Sequence, residues 1–161
     1  MSRITLRSAV LLIACVLVPL VSGGVIGILT MTSIRDWYTT LNKPWFTPPD
    51  YLFGPVWTVL YILMGISLYL VLAKGWETRP VRIGAGLFAA QLGANLLWSV
   101  LFFGMHSPGA GLVDILVLLA LIIATIISFN KVSKPAAVLL VPYLAWVCIA
   151  SALNAGVLIL N

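Results

Sequence analysis

Five long apolar segments, separated by short polar or proline-containing stretches, dominate the chain. Each is close to the roughly 20 residues that a helix needs to cross the hydrocarbon core of a bilayer. The pattern therefore predicts an all-α integral membrane protein, a bundle of five transmembrane helices that forms a single domain over residues 1–161. The predicted spans cover about residues 9–29, 52–73, 83–105, 109–129 and 136–158.

Helix-breaking residues support these boundaries. Three prolines between residues 30 and 51 prevent a helix before the second span, so we place a long loop there. Ser107 followed by Pro108 has the form of an N-cap and a first helical residue for the fourth span. Residues 1–24 also fit a signal peptide, with a basic start and small residues at 22–24. The apolar run continues through residues 25–29, which favours a retained span.

Composition agrees with a membrane protein and limits the function classes. The chain is 62% hydrophobic and 8% charged, whereas a soluble domain carries about 25% charged residues. The net charge of +5 lies at the N-terminus and in short loops, so it indicates membrane orientation rather than nucleic-acid binding. Cys15 and Cys148 lie within apolar segments and form neither a metal-binding pattern nor a disulfide framework.

The basic residues are distributed unevenly between the two ends of the predicted spans. Two of them, Arg35 and Lys43, lie at the end that carries the long loop. The positive-inside rule therefore predicts a cytoplasmic N-terminus, with the long loop and the C-terminus outside. The seven basic residues at the other end are Arg3, Arg7, Lys74, Arg79, Arg82, Lys131 and Lys134.

The segment from Trp37 to Trp57 contains seven aromatic residues and four prolines within 21 residues. Aromatic residues commonly form a belt at the membrane interface, which is one interpretation. The density here exceeds what a belt needs, and prolines restrict the backbone, so a rigid lid over a ligand is the other interpretation.

Three predicted helices carry aromatic or amide side chains at helical spacing. Packing between helices, lipid contact and interhelical hydrogen bonds are alternative interpretations of each stripe. Together the stripes predict a largely apolar pocket with a few orienting polar groups. They comprise Phe53, Trp57 and Tyr61 in the second span, Gln91, Asn95, Trp98 and Phe102 in the third, and Pro142, Trp146, Ala150, Leu153 and Asn154 in the fifth.

Other features are less specific. Small residues recur every four positions at Gly23 and Gly27 and in the third and fifth spans, which permits close packing within the bundle or across a dimer. Asp114 is the acidic residue well inside a predicted span, where a structural role and proton coupling are both open. His106, the single histidine, lies in a short loop. The sequence offers no triad or metal cluster at one depth, which argues against a hydrolase or a metalloenzyme.

Four ordered motifs resemble those of the translocator protein family, also called tryptophan-rich sensory protein or peripheral-type benzodiazepine receptor (TspO/MBR). The resemblance covers about residues 20–155. The motifs are WYxxLxKPWxxPP from Trp37, PxWxxxYxxM from Pro55, QLxxNxxWSxxFFG from Gln91, and VPYLAW from Val141 with the later pair Leu153–Asn154.

This resemblance implies a five-helix bundle, usually a homodimer, that binds porphyrins such as protoporphyrin IX and haem as ligands and has no obligatory cofactor. It also implies binding of benzodiazepine- and isoquinoline-type compounds. The contacts that carry over are Tyr38, Trp45, Pro48, Phe53, Trp57, Tyr61, Asn95, Trp98, Trp146, Ala150 and Leu153. To these the stripe on the third span adds Gln91 and Phe102 as predicted ligand contacts.

The leading hypothesis is thus a membrane receptor or sensor for tetrapyrroles. The resemblance leaves open an enzyme that degrades porphyrin in light, with Trp57 and Trp146 as the photochemical residues, and a transporter of porphyrins or other lipophiles. The chain departs from the animal relatives after Leu153–Asn154, where it lacks their aromatic and basic residues. Cholesterol binding through a C-terminal motif is therefore not expected.

Overall fold

The computed structural model describes residues 6–161 and consists of helices joined by short connections. Arg3 and the start of the N-terminal segment lie outside the described residues. Five helical stretches are long and apolar enough to cross a membrane, which confirms the predicted fold class. The helices are α1 (Leu6–Asp36), α2 (Phe53–Leu72), α3 (Arg79–Ser99), α4 (Pro108–Asn130), α5 (Lys134–Leu139) and α6 (Val141–Leu160).

The first helix is longer than the sequence predicts. Residues 30–36, which we assigned to the loop, continue α1 to Asp36. These residues are more polar than the span, but they include no glycine or proline. The Thr30 hydroxyl donates a hydrogen bond to the backbone carbonyl of Ile26 at 2.9 Å. The change to polar residues after residue 29 therefore does not mark the end of the helix. The first loop, defined from here on as residues 37–52, is correspondingly shorter.

The fifth predicted span is divided into α5 and α6 by a turn at Leu140. Pro142 explains the division, because it has no N–H for the helical ladder and its ring crowds the carbonyl four residues earlier. In contrast, the fourth span begins as predicted, with the Ser107 hydroxyl accepting a hydrogen bond from the N–H of Ala110 at 3.4 Å.

The core lies among α2, α3, α4, α5 and α6, where Met64, Ile122, Phe129 and Tyr143 are fully buried. The first helix lies at the side of this core, packed along α2. Gly65 makes that approach possible, since a Cβ there would collide with the α1 backbone at Val16. The two helices are thus in backbone contact at Gly65, and nearer the first loop both of them line a cavity.

Candidate functional site

An aromatic cavity of about 430 Å³ lies beneath the first loop, among α1, α2, α6 and the end of α3. Its size falls within the range of small-molecule sites, about 300–1,000 Å³. Nine of the predicted contacts line it together: Tyr38, Phe53, Trp57, Tyr61, Trp98, Phe102, Trp146, Ala150 and Leu153.

The aromatic walls come from two helices that face each other. Phe53, Trp57 and Tyr61 recur every four residues along α2, so all three point to one side. The ring centroids of Trp57 and Tyr61 are 5.4 Å apart. From α6, Trp146 meets Phe53 edge to face at 5.6 Å. The indole Nε1 of Trp146 is buried and has no hydrogen-bond partner among residues 6–161.

A π-helical turn ends the third span and supplies the wall nearest the loop. It covers Val100–Gly104, where the N–H of Met105 donates to the carbonyl of Val100 at 2.8 Å. The wider turn brings two successive side chains, Phe102 and Phe103, into the lining. Such turns are often found at functional sites. No signal in the sequence distinguishes this turn from an ordinary helical one.

Glycines form the α1 wall, which the sequence interpretation missed. Gly23, Gly24 and Gly27 line the cavity, although the first and last of these were read as a packing stripe. A Cβ at Gly24 or Gly27 would meet no atom within 4 Å, whereas one at Gly23 would collide with the ring of Tyr61. A glycine every four residues can either let two helices pack closely or leave room for a cavity. The sequence pattern is the same in both cases, so only the structure distinguishes them.

The predicted amides lie behind the wall rather than in it. The Tyr61 hydroxyl donates to Asn95 Oδ1 at 2.9 Å, and Asn95 Nδ2 donates to the Tyr143 hydroxyl at 3.2 Å. Tyr143 in turn donates to Gln91 Oε1 at 2.8 Å. This chain, which we call the tyrosine–amide network, fixes the orientation of Tyr61, whose ring lines the cavity. Gln91 and Asn95 are buried and do not line it.

A second polar pair fixes Trp98. Its indole N–H donates to Asn154 Oδ1 at 2.9 Å, and Asn154 Nδ2 donates to the carbonyl of Pro108 at 2.7 Å. Both Trp98 and Asn154 line the cavity. An otherwise apolar site thus has a few polar groups held in place by neighbouring helices, which is typical of sites that orient a ligand.

The first loop is fastened at the cavity mouth by aromatic and charged contacts. Trp37 stacks on His106 with centroids 4.5 Å apart, and Tyr38 meets Phe103 edge to face at 5.5 Å. The Lys43 ammonium lies 4.2 Å from the centre of the Tyr38 ring and 3.7 Å from a carboxylate oxygen of Asp50. Tyr38 and Asp50 both line the cavity, so Lys43 connects two parts of its cover.

The far side of the loop rests on α6. Pro44 is buried against Gly156, where a Cβ would collide with the proline ring. Asn42 and Asn161 exchange two hydrogen bonds of 3.0 Å between backbone and side chain. With Pro44 turned inward, Trp45 is 95% exposed. Trp45 and the half-buried Pro48, both predicted contacts, do not line the cavity.

Ionisable groups are sparse at this site. Asp50 is the one carboxylate among the lining residues of the described chain. Asp114 is buried elsewhere on α4, with its Oδ2 unpartnered among residues 6–161. Within those residues, no three side chains of His, Cys, Asp or Glu come together to hold a metal. The geometry therefore suits stacking of a flat, largely apolar ligand rather than acid–base chemistry.

Comparison with known protein sequences finds similar proteins over most of the chain. A sequence profile of the TspO/MBR family matches residues 15–160. The chain is 57% identical over 125 residues to the tryptophan-rich protein TspO of Chlorobaculum tepidum, covering 78% of this chain and 79% of that protein. It is 46% identical over 151 residues to the Archaeoglobus fulgidus protein of the same name, covering 93% and 96%. It is 41% identical over 119 residues to the human translocator protein, covering 73% and 70%.

Proposed function

The chain belongs to the TspO/MBR family, and on that basis we propose that it is a membrane receptor or sensor that binds tetrapyrroles, such as protoporphyrin IX and haem, in the cavity beneath its first loop. The observation that carries the proposal is the cavity of about 430 Å³ whose walls contain three tryptophans. Indole and phenol rings bind a flat macrocycle by stacking and apolar contact. Benzodiazepine- and isoquinoline-type compounds, which are also flat and apolar, would compete for the same volume.

Filling the cavity tests the proposal. In Gly27→Leu the new side chain enters empty space, because a Cβ at Gly27 meets nothing within 4 Å. We expect protoporphyrin IX to quench tryptophan fluorescence of the unchanged protein saturably at micromolar concentration. We expect Gly27→Leu to weaken binding at least about tenfold, or about 1.4 kcal/mol.

The matched control is Ala145→Leu, which adds a similar side chain at an exposed position of α6 that does not line the cavity. This variant is expected to bind like the unchanged protein. Quenching that does not saturate, or equal loss of affinity in both variants, would show that porphyrin does not occupy the cavity.

Light-dependent porphyrin breakdown is the second candidate. It is supported by the placement of Trp57 and Trp146 on facing walls of one cavity. A bound pigment would lie against both indoles, and dissolved dioxygen would be the oxidant for its breakdown in light. Under illumination, loss of porphyrin absorbance is expected to slow in Trp57→Phe and in Trp146→Phe. If both variants, saturated with porphyrin, lose absorbance at the unchanged rate, the two tryptophans have no photochemical role.

Transport receives less support. Asp114, the carboxylate within a span, does not line the cavity, so a bound ligand would not contact it. If the protein carries porphyrin with proton coupling through this residue, uptake into liposomes will fall in Asp114→Asn. Unchanged uptake would remove Asp114 from the mechanism.

For orientation we propose a cytoplasmic N-terminus, with the first loop outside. The excess of basic residues at the end of the bundle opposite the first loop supports this arrangement. The test is a reporter enzyme that is active only outside the cytoplasm, fused after Asn161. We expect this fusion to show enzyme activity. Activity of a cytoplasmic reporter at the same position would reverse the assignment.

A further inference from the structure

A second recess lies at the basic end of the bundle, far from the cavity. It is a groove of about 180 Å³ between the start of α3 and the end of α4. Directly beside the lining residues Ile83 and Ser128 the two helices are tightly packed, because a Cβ at Gly84 would lie 3.1 Å from the Phe129 ring. Its lining residues are Arg79, Pro80, Ile83, Ser128 and Lys131.

The mouth of this groove is positively charged. Arg79 and Lys131 come from different helices, are exposed, and make no ion pair within residues 6–161. The lining contains no carboxylate, and Glu77, the nearest acidic residue in sequence, is outside it. The first turn of α3 has no acidic residue and Thr78 provides no side-chain cap, but the negative end of α4 borders the same groove and offsets the positive end of α3. The positive charge of the mouth therefore comes from Arg79 and Lys131. The groove therefore favours an anion.

Beside the groove, both helices carry exposed apolar side chains, of which Ile83 lines the groove itself. On α3, Ile83 follows Arg79 by one turn and is 48% exposed. On α4, Ile127 and Ile123 precede Lys131 by one and two turns and are 55% and 47% exposed. Residues four apart lie on the same helix face, so each cation stands above exposed apolar side chains.

We propose that this groove binds an anionic diacyl phospholipid, with the headgroup phosphate between Arg79 and Lys131 and an acyl chain along Ile83 and Ile127. A soluble phosphate would use only the cations, whereas a phospholipid uses both the cations and the exposed apolar side chains. Basic pockets between helices at the cytoplasmic side are typical sites for anionic headgroups. The proposal stands independently of tetrapyrrole binding, since the groove and the cavity share no residue.

The test is native mass spectrometry of the purified protein in neutral detergent, titrated with dioleoylphosphatidylglycerol or with dioleoylphosphatidylcholine. We expect the first lipid to bind more tightly. In Arg79→Gln/Lys131→Gln its affinity is expected to fall at least about tenfold. The matched control, Lys74→Gln/Arg82→Gln, removes the same charge from the same end of the bundle but outside the groove, and is expected to retain binding.

Two further arms separate the alternatives. Arg79→Lys/Lys131→Arg keeps both charges and is expected to bind phosphatidylglycerol, and an unchanged thermal unfolding midpoint of the glutamine pair excludes unfolding as the cause of its loss. Ile83→Ser is expected to lower the affinity for phosphatidylglycerol. Millimolar inorganic phosphate is expected not to displace the bound lipid. An equal loss of affinity in the control pair would show that the overall positive charge of this end of the bundle, and not the groove, attracts the lipid. Displacement by inorganic phosphate would make this a site for a soluble anion. Either result overturns the proposal.

Discussion

Tyr143 holds the tyrosine–amide network together, because its hydroxyl both accepts from Asn95 and donates to Gln91. The residue is fully buried, and Gln91 Nε2 already lacks a partner among the described residues. Two of the three hydrogen bonds in the network therefore pass through the Tyr143 oxygen.

We predict that Tyr143→Phe lowers the free energy of unfolding by about 1–3 kcal/mol, the usual cost of leaving a buried polar group unpaired. The substitution keeps the ring and removes only the hydroxyl. Thermal and denaturant unfolding in detergent measure the effect. Tyr51→Phe, at a tyrosine that is 75% exposed, is the control and should change little. Equal stability of the two variants would mean that the network contributes nothing.

For individual residues, helical periodicity predicted which helix faces form the cavity wall. It did not predict which residues on those faces line the cavity. The rings on α2 and α6 were predictable because residues four apart in a helix share a face. Gln91 and Asn95 lie on the same stripe as Trp98. Their amides, however, form hydrogen bonds with tyrosine hydroxyl groups behind the cavity wall. Periodicity gives the direction of a side chain and not the distance to which it reaches, so it does not separate a lining residue from one that supports it.

Among the elements, the first loop depends most on contacts remote in sequence. Pro44 packs against Gly156, and the sequence around neither residue predicts this contact. In the sequence, Gly156 appeared only as a member of a small-residue stripe. The same limit applies to the π-helical turn, which local composition did not reveal, whereas the turn at Leu140 has a local cause in Pro142 that the span prediction did not use. By contrast, the N-cap at Ser107 is a local signal and was predicted correctly.

We predict that Gly156→Val displaces Pro44 and loosens the first loop, while the helices keep their packing. Amide hydrogen exchange in residues 37–50 should become at least about tenfold faster, equal to about 1.4 kcal/mol of lost local stability. Ala152→Val lies one turn earlier on the same helix at an exposed position and is the control. Unchanged exchange in Gly156→Val would show that the loop is held elsewhere.

For the whole molecule, the small-residue stripes indicate where a second copy would bind. The glycines of α1 face the cavity, and Gly156 of α6 is covered by Pro44. On α3, Ala89 and Gly93 are exposed. Exposed small residues also remain on α6, at Cys148 and Ala152, but the exposed α3 stripe includes a glycine, so we propose that a homodimer forms through α3.

We predict that Ala89→Leu/Gly93→Leu raises the dimer dissociation constant at least about tenfold, because the larger side chains hold the helices apart. Analytical ultracentrifugation in detergent measures the constant. Ala145→Leu, exposed on α6, should leave it unchanged. A monomeric unchanged protein, or a dimer indifferent to the α3 substitutions, would refute an interface on this helix.

The pairing of Asn42 with Asn161 also has a consequence for biosynthesis. The two residues are 119 positions apart, so the loop is made long before its anchor. At about 5–20 residues per second, the delay is roughly 6–24 s. During that interval the loop can already stack on His106 through Trp37, but it lacks its support on α6. The cover is therefore completed only with α6, the same helix that supplies the cavity wall at Trp146, Ala150 and Leu153.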